Sequence, residues 1–195
     1  MKIILASKNA GKIREFKEIL KPFGFEVLSL KDINFNDEIV EDGNTFEENA
    51  LIKAKTIYNL MNIPVISDDS GICVKHLNWA PGIYSARYGG LDEEADRIKL
   101  ILKQMEGVED REAYFHCSIV MYLSNNKYLH FMGTVEGTLD YVEKGNNGFG
   151  YDVIFIPNGY NNTFGELSSD IKNEISHRAK AIKALVRYLE NDFNN

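Results

Sequence analysis

The apolar residues of this chain change period as the sequence advances. Short β-branched runs alternate with helical-period segments up to about residue 105, and two long runs of alternating apolar residues then follow one another directly. Residues 2–6 (KIILA) read as a buried strand. The polar loop 7–12 leads into a helix whose apolar face is Ile13, Phe16, Ile19 and Leu20, ended by Pro22 and Gly24. Residues 25–30 predict a second strand and 31–44 a loop rich in Asn, Asp and Glu. Thr45 opens a helix with Glu48 three residues on, a capping-box pattern, and Ala50, Leu51, Ala54, Ile57 and Tyr58 mark its apolar face. The run 63–66 predicts a strand ended by a Ser70-Gly71 turn, with 72–77 a further strand. Residues 80–91 form a Gly-rich loop, and about 93–105 a helix with Ile98, Ile101 and Leu102 inward. Residues 113–123 and 127–138 predict paired strands joined by a Ser-Asn-Asn turn. A second Gly-rich loop, 144–152, precedes the strand VIFIP, and after the loop 158–168 helices near 169–175 and 176–191 close the chain. Interleaved strands and helices followed by a hairpin predict an α/β protein whose mixed sheet is flanked by helices.

A chain of 195 residues is long enough to bury a core without covalent staples, and it predicts a single domain over 1–195. Its 22 basic and 29 acidic residues leave a net charge of −7, which disfavours non-specific binding to nucleic acid or anionic membranes. Cys73 and Cys117 lie in apolar stretches and predict buried free thiols in a reducing cytoplasm. No apolar run reaches the length of a signal peptide or membrane span, so a cytoplasmic location is expected.

Five segments can carry chemistry. Asp68 and Asp69 end the run Pro64-Val65-Ile66, at the edge of a sheet where α/β proteins place ligands. Adjacent carboxylates repel unless a cation or shared proton separates them, and Mg²⁺ with a phosphate substrate would supply the cation; a solvated Asx-type turn is the alternative. The loop Ser7-Lys8-Asn9-Ala10-Gly11-Lys12 offers backbone N–H groups, a helix N-terminus and cations for phosphates, although it lacks the Walker pattern, and its lysines fit a solvated surface equally. Glu41, in a loop beside the capped helix, is the freest carboxylate to join Asp69 around a hard cation, with Lys53 facing a phosphate. In KGNNGFGYD, Phe149 and Tyr151 supply flat faces, Gly150 allows close approach and Asp152 is an acceptor, as nucleobase binding requires; a hairpin loop without function has the same composition. His177 and Arg178 open the last helix behind Ser176, against the helix dipole unless they face an anionic or carbonyl-bearing ligand.

These segments, taken together, resemble the inosine triphosphate pyrophosphatase family nearly end to end. The shared motifs are ASKNAGKIREF at 6–16, EDGNTFEENALIKA at 41–54, SDDSG at 67–71, APGIYSARYGG at 80–90, GFGYD at 148–152 and SHRAKAIKAL at 176–185. The resemblance implies an elongated, two-lobed single domain with a central cleft, a homodimer, and Mg²⁺-dependent hydrolysis of ITP, dITP and XTP to the monophosphate and pyrophosphate. It assigns Ser7 through Lys12 and Lys53 to the phosphates, Glu41 and Asp69 to Mg²⁺, and proton abstraction to Asp69 with Asp68 in support. Ser70 would contact the nucleotide, Phe149 would stack on the base, and Phe149 to Asp152 would wall the base pocket. Lys172, His177 and Arg178 would read the purine edge. Val153 stands where many members carry Pro, a departure that removes no functional group. A nucleotide sensor without hydrolysis is disfavoured by Glu41, Asp68 and Asp69, because a binder gains little from negative charge beside a triphosphate. The GFGYD and SHR motifs weigh against a pyrophosphatase for modified pyrimidine nucleotides.

Overall fold

Residues 2–124 and 127–192 are described by a computed structural model. In chain order its strands and α-helices are β1 (Lys2–Leu5), α1 (Ala10–Leu20), β2 (Glu26–Ser29), α2 (Phe46–Met61), β3 (Val65–Val74), α3 (Glu94–Gln104), β4 (Glu112–Ser124), β5 (Lys127–Leu139), β6 (Phe155–Pro157), α4 (Ser169–Ile175) and α5 (His177–Asp192). The sheet order is β2-β1-β3-β4-β5-β6, with β1 parallel to β2 and β3, and β6 antiparallel to β5. The mixed α/β sheet read from the sequence is the one that forms. Asn125 and Asn126, the centre of the expected Ser-Asn-Asn turn, lie outside the described residues.

The chain divides into two compact units. The first is built from the chain up to Asp69, Cys117–Gly133 and the chain from Arg178 onward; the second is Ser70–His116 with Thr134–His177. In the first unit the two-residue period of the strands distributes apolar side chains to two helical layers. Ile3, Leu5 and Ile66 pack with Phe16, Ile19 and Leu20 of α1 and with Ile182 and Leu185 of α5. Ile4 and Val65, one residue out of phase, pack with Ala50, Ala54 and Ile57 of α2. The second unit buries Ile98 and Ile101 of α3 with Ile72, Val74, Phe115, Phe155 and Phe164. Among the described residues no helix is long and apolar enough to cross a membrane.

Three local expectations are corrected. Strand β3 does not stop at Ile66: it runs ten residues through Asp68, Asp69 and Gly71 and absorbs the first part of the separate strand expected at 72–77. Gly71 serves close approach rather than a turn, since a Cβ there would lie 2.3 Å from the Gly82 carbonyl oxygen and 2.4 Å from Ser85 Oγ. Gly71→Ala is therefore expected to destabilise the protein by about 1–3 kcal/mol, read as a lower urea midpoint; an unchanged midpoint would contradict the packing described. The capping box is offset by one residue. Thr45 Oγ1 accepts from Glu48 N, but the Glu48 carboxylate accepts from Asn44 N at 2.6 Å. Finally, Val153 and Ile154 belong to a 3₁₀ turn, Gly150–Ile154, which leaves β6 three residues long.

Candidate active site

Consecutive side chains of a strand point to opposite faces, so Asp68 and Asp69 do not form the joint acidic pair that the sequence suggested. Asp68 turns toward α1 and α5. Its Oδ2 accepts from Arg178 Nε at 3.0 Å and its Oδ1 lies 3.1 Å from Lys12 Nζ, while Arg178 Nη1 also pairs with Glu15. Asp68, Glu15 and Arg178 are all buried. Burial alone pushes the Asp68 carboxyl up, but Lys12, Arg178 and Lys53 outweigh it and hold the group well below the usual carboxylate range.

Asp69 turns toward α2. Lys53 Nζ lies 3.3 Å from its Oδ1, and Asn49 Nδ2 donates to its Oδ2 at 3.3 Å. The same Lys53 ammonium donates to Glu41 Oε2 at 2.6 Å, so one cation bridges the two carboxylates expected to bind metal. Burial raises the pKa of Asp69, and Glu41 and Asp68 raise it further against the opposing effect of Lys53 and Lys12. Burial opposes the charge on Lys53, yet Asp69, Glu41 and Asp68 prevail and raise its pKa. Two neighbouring carboxylates are thus driven apart: one fixed as an anion, the other drawn toward protonation.

The first unit also holds the loop 7–12. Asn9 caps α1, its Oδ1 accepting from Lys12 N at 2.9 Å, and Ser7 Oγ accepts from Asn9 N at 3.2 Å. No acidic residue occupies the first turn of α1, which leaves the N-terminus near Ala10 and Gly11 attractive to anions. Lys8 departs from expectation. Its Nζ donates to the carbonyls of Asn36 and Asp37 at 2.6 and 2.7 Å, tying down the loop 31–44. Arg178 departs as well: the anion that relieves its conflict with the helix dipole is the protein's own, Asp68 and Glu15.

In the second unit, Lys172 is buried with its Nζ on Asp152 Oδ2 and 4.8 Å from the centre of the Phe149 ring. The same carboxylate oxygen accepts from Phe149 N at 2.8 Å. Asp152 thus organises its own loop. Gly148 is required there, because it has φ +75° and a Cβ would lie 2.2 Å from Asp152 Oδ2. Tyr151 is core rather than an exposed flat face: it is 6% exposed and its hydroxyl donates to Ser85 O at 2.9 Å. Burial pushes that phenol up to about 12. His177 is buried and stacks on Phe115, with ring centres 4.7 Å apart and planes within 9°. Phe149 and Ser70 are both partly exposed.

Sequence reasoning missed Glu15 and Asn49. Each is a polar residue on an otherwise apolar helix face, Glu15 beside Phe16 and Ile19, Asn49 one turn before Lys53. That pattern was the available signal.

The first unit's cluster carries four carboxylates (Glu15, Glu41, Asp68, Asp69) against three cations (Lys12, Lys53, Arg178). Among the described residues no three His, Cys, Asp or Glu side chains are gathered to hold a metal by themselves. Two hard oxygen donors with surplus negative charge suit an ion of the Mg²⁺ type, which takes one or two carboxylates and completes its shell with water and substrate phosphates.

Comparison with known proteins gives a consistent result. The sequence profile of the Ham1 family matches residues 3–188. A dITP/XTP pyrophosphatase of Bacillus licheniformis is 47% identical over 192 residues, covering 96% of this chain and 97% of its own. The Bacillus subtilis dITP/XTP pyrophosphatase is 45% identical over 191 residues, with 96% of each chain covered. The structure of the Staphylococcus aureus Ham1 protein superposes with a TM-score of 0.87 at 39% identity, covering 98% of this chain and 100% of its own. A Ham1 protein from Coxiella burnetii gives a TM-score of 0.88 at 37% identity, covering 97% of this chain and 98% of its own.

Proposed function

Since this chain belongs to the Ham1 family, we propose that it hydrolyses the non-standard purine nucleoside triphosphates ITP, dITP and XTP to the monophosphate and pyrophosphate, removing them before incorporation into DNA or RNA. The observation that carries the chemistry is the opposite setting of Asp68 and Asp69. Asp68 is locked between Arg178 and Lys12 as a permanent anion, whereas Asp69 meets one ammonium and one amide at 3.3 Å. A base must be able to accept a proton during turnover, and Asp69 is the member of the pair whose environment favours that.

Asp69 accordingly takes the proton of the attacking water. Glu41 and Asp69 are the residues that would hold Mg²⁺, which when bound neutralises phosphate oxygens and acidifies water. Lys12 and Lys53 carry the positive charge that a departing pyrophosphate requires, and the N–H groups of Ala10 and Gly11, which the Asn9 cap does not take up, receive phosphate oxygens. Base selection falls to Lys172 and His177 in the second unit, with Phe149 as the stacking face. The Lys172 ammonium has donors only, so it suits the O6 of hypoxanthine or xanthine and opposes the N6 amino group of adenine. A mismatched buried donor costs about 1–3 kcal/mol, roughly tenfold to hundredfold in discrimination. Buried free thiols at Cys73 and Cys117 suit a reducing cytoplasm, and a homodimer belongs to the same reading on family resemblance alone.

Turnover of dITP, XTP, ATP and GTP with Mg²⁺, scoring pyrophosphate separately from orthophosphate, tests this. Pyrophosphate from dITP and XTP is expected, with ATP slower by about tenfold or more; guanine shares the O6 acceptor, so slow GTP turnover requires a second device against its 2-amino group. Orthophosphate release, or equal rates for all four bases, would overturn the proposal.

A further inference from the structure

Helix α2 reaches Asp69 twice, from positions one turn apart on a single face. Lys53 Nζ lies 3.3 Å from Oδ1, and Asn49 Nδ2 donates to Oδ2 at 3.3 Å. Each side chain has a second hold on the loop before the helix: Lys53 on Glu41 at 2.6 Å, and Asn49 through its Oδ1, which accepts from Gly43 N at 2.9 Å. Asn49 is wholly buried, at 0% exposure. Its amide has only one admissible orientation. The Gly43 N–H can only donate and needs the amide oxygen, while an ionised Asp69 can only accept and needs the amide NH₂. Loop and amide are also tightly fitted, since a Cβ on Gly43 would lie 2.8 Å from Asn49 Oδ1.

The geometry points to Asn49 as a positioning residue, which orients the Asp69 carboxylate by amide donation and sets the loop of Glu41 in register with it. The inference rests on the reading of Asp69 as proton acceptor. Asn49 exchanges no proton itself, so its effect is geometric. Without the amide N–H, Asp69 is left with Lys53 of the two side chains that reach it from α2 and rotates among several orientations, of which one is productive. The loop anchor acts two residues beyond Glu41, so the same side chain holds both carboxylates to α2.

Two substitutions separate orientation from packing. Asn49→Asp keeps the shape and the acceptor for Gly43 N–H but cannot donate to an ionised Asp69; Asn49→Leu removes both contacts. With dITP as substrate, kcat is expected to fall about 10- to 100-fold in both variants. With Mg²⁺ held at saturation, KM and the affinity for a non-hydrolysable dITP analogue should stay within about threefold of the parent in Asn49→Leu, because ground-state binding then does not depend on the orientation of the base. Asn49→Asp also buries a second carboxylate beside Asp69, so its unfolding midpoint at pH 7 should fall below the parent's and recover as the pH approaches about 4. If either variant does not fold, the other carries the test. Wild-type kcat in either folded variant, or a loss confined to KM, would overturn the proposal. Failure of the parent protein to release pyrophosphate from dITP would instead refute the reading of Asp69 on which it rests.

Discussion

Asp69→Asn is expected to lower kcat for dITP by about 10²- to 10⁴-fold, the range over which a positioned general base contributes. Asparagine has the shape of aspartate and keeps an acceptor for Lys53, but it takes no proton. Stability should move the other way. The pKa of Asp69 is raised in the folded protein, so its favourable contribution is complete below the ordinary carboxylate value near 4 and is lost as pH rises through the folded value. At pH 7 the charged carboxylate is therefore a burden on the fold. The variant should unfold at an equal or higher temperature than the parent at pH 7, with any advantage shrinking as the pH approaches 4. Retained turnover would remove Asp69 from the role of base, and a large fall in unfolding temperature at pH 7 would contradict its electrostatic setting.

Arg178→Met should have the largest effect on stability. The guanidinium is 1% exposed and faces Asp68 and Glu15, which are 1% and 4% exposed. Removing one partner of a buried ionic cluster leaves uncompensated charge and costs about 3–5 kcal/mol, measured by urea unfolding at pH 7. The pKa of Asp68 is depressed in the folded state, so its contribution is present above the unfolded value near 4 and lost as pH falls through the folded one. The difference between parent and variant should accordingly narrow below about pH 4. Adding Glu15→Gln should recover part of the loss, because the two positions share one network and their effects are not additive. A loss under about 1 kcal/mol at pH 7 would mean that Arg178 is not the counter-ion of this cluster.

Much of the architecture was legible in order and period. The helices at 10–20, 46–61 and 94–104 carry the spaced apolar residues that define them, and Ile57, Ile98 and Ile101 are buried as expected. The hairpin strands of 112–124 and 127–139 follow from their alternating apolar residues. Misreadings fell where a residue type has two physical uses. Gly71 signals a turn in one dimension but marks close backbone approach in three. Tyr151 presents a flat ring to any reader of the sequence, whereas burial and the Ser85 carbonyl make it core.

Residue types and their spacing alone determined the strand and helix order, the excess of acidic charge and most of the cast of chemical groups, Glu41, Lys53, Asp68, Asp69 and His177, to which the family resemblance added Lys172. The tertiary structure decided which group does what. Lys8 became a loop tie, Arg178 the counter-ion of Asp68, and Asn49 a partner of Asp69. The reason is that a charge acquires its role from what lies within a few ångströms of it in a low-dielectric interior. Those neighbours come from residues 20 and 110 positions away in the chain, at distances that no local spacing encodes.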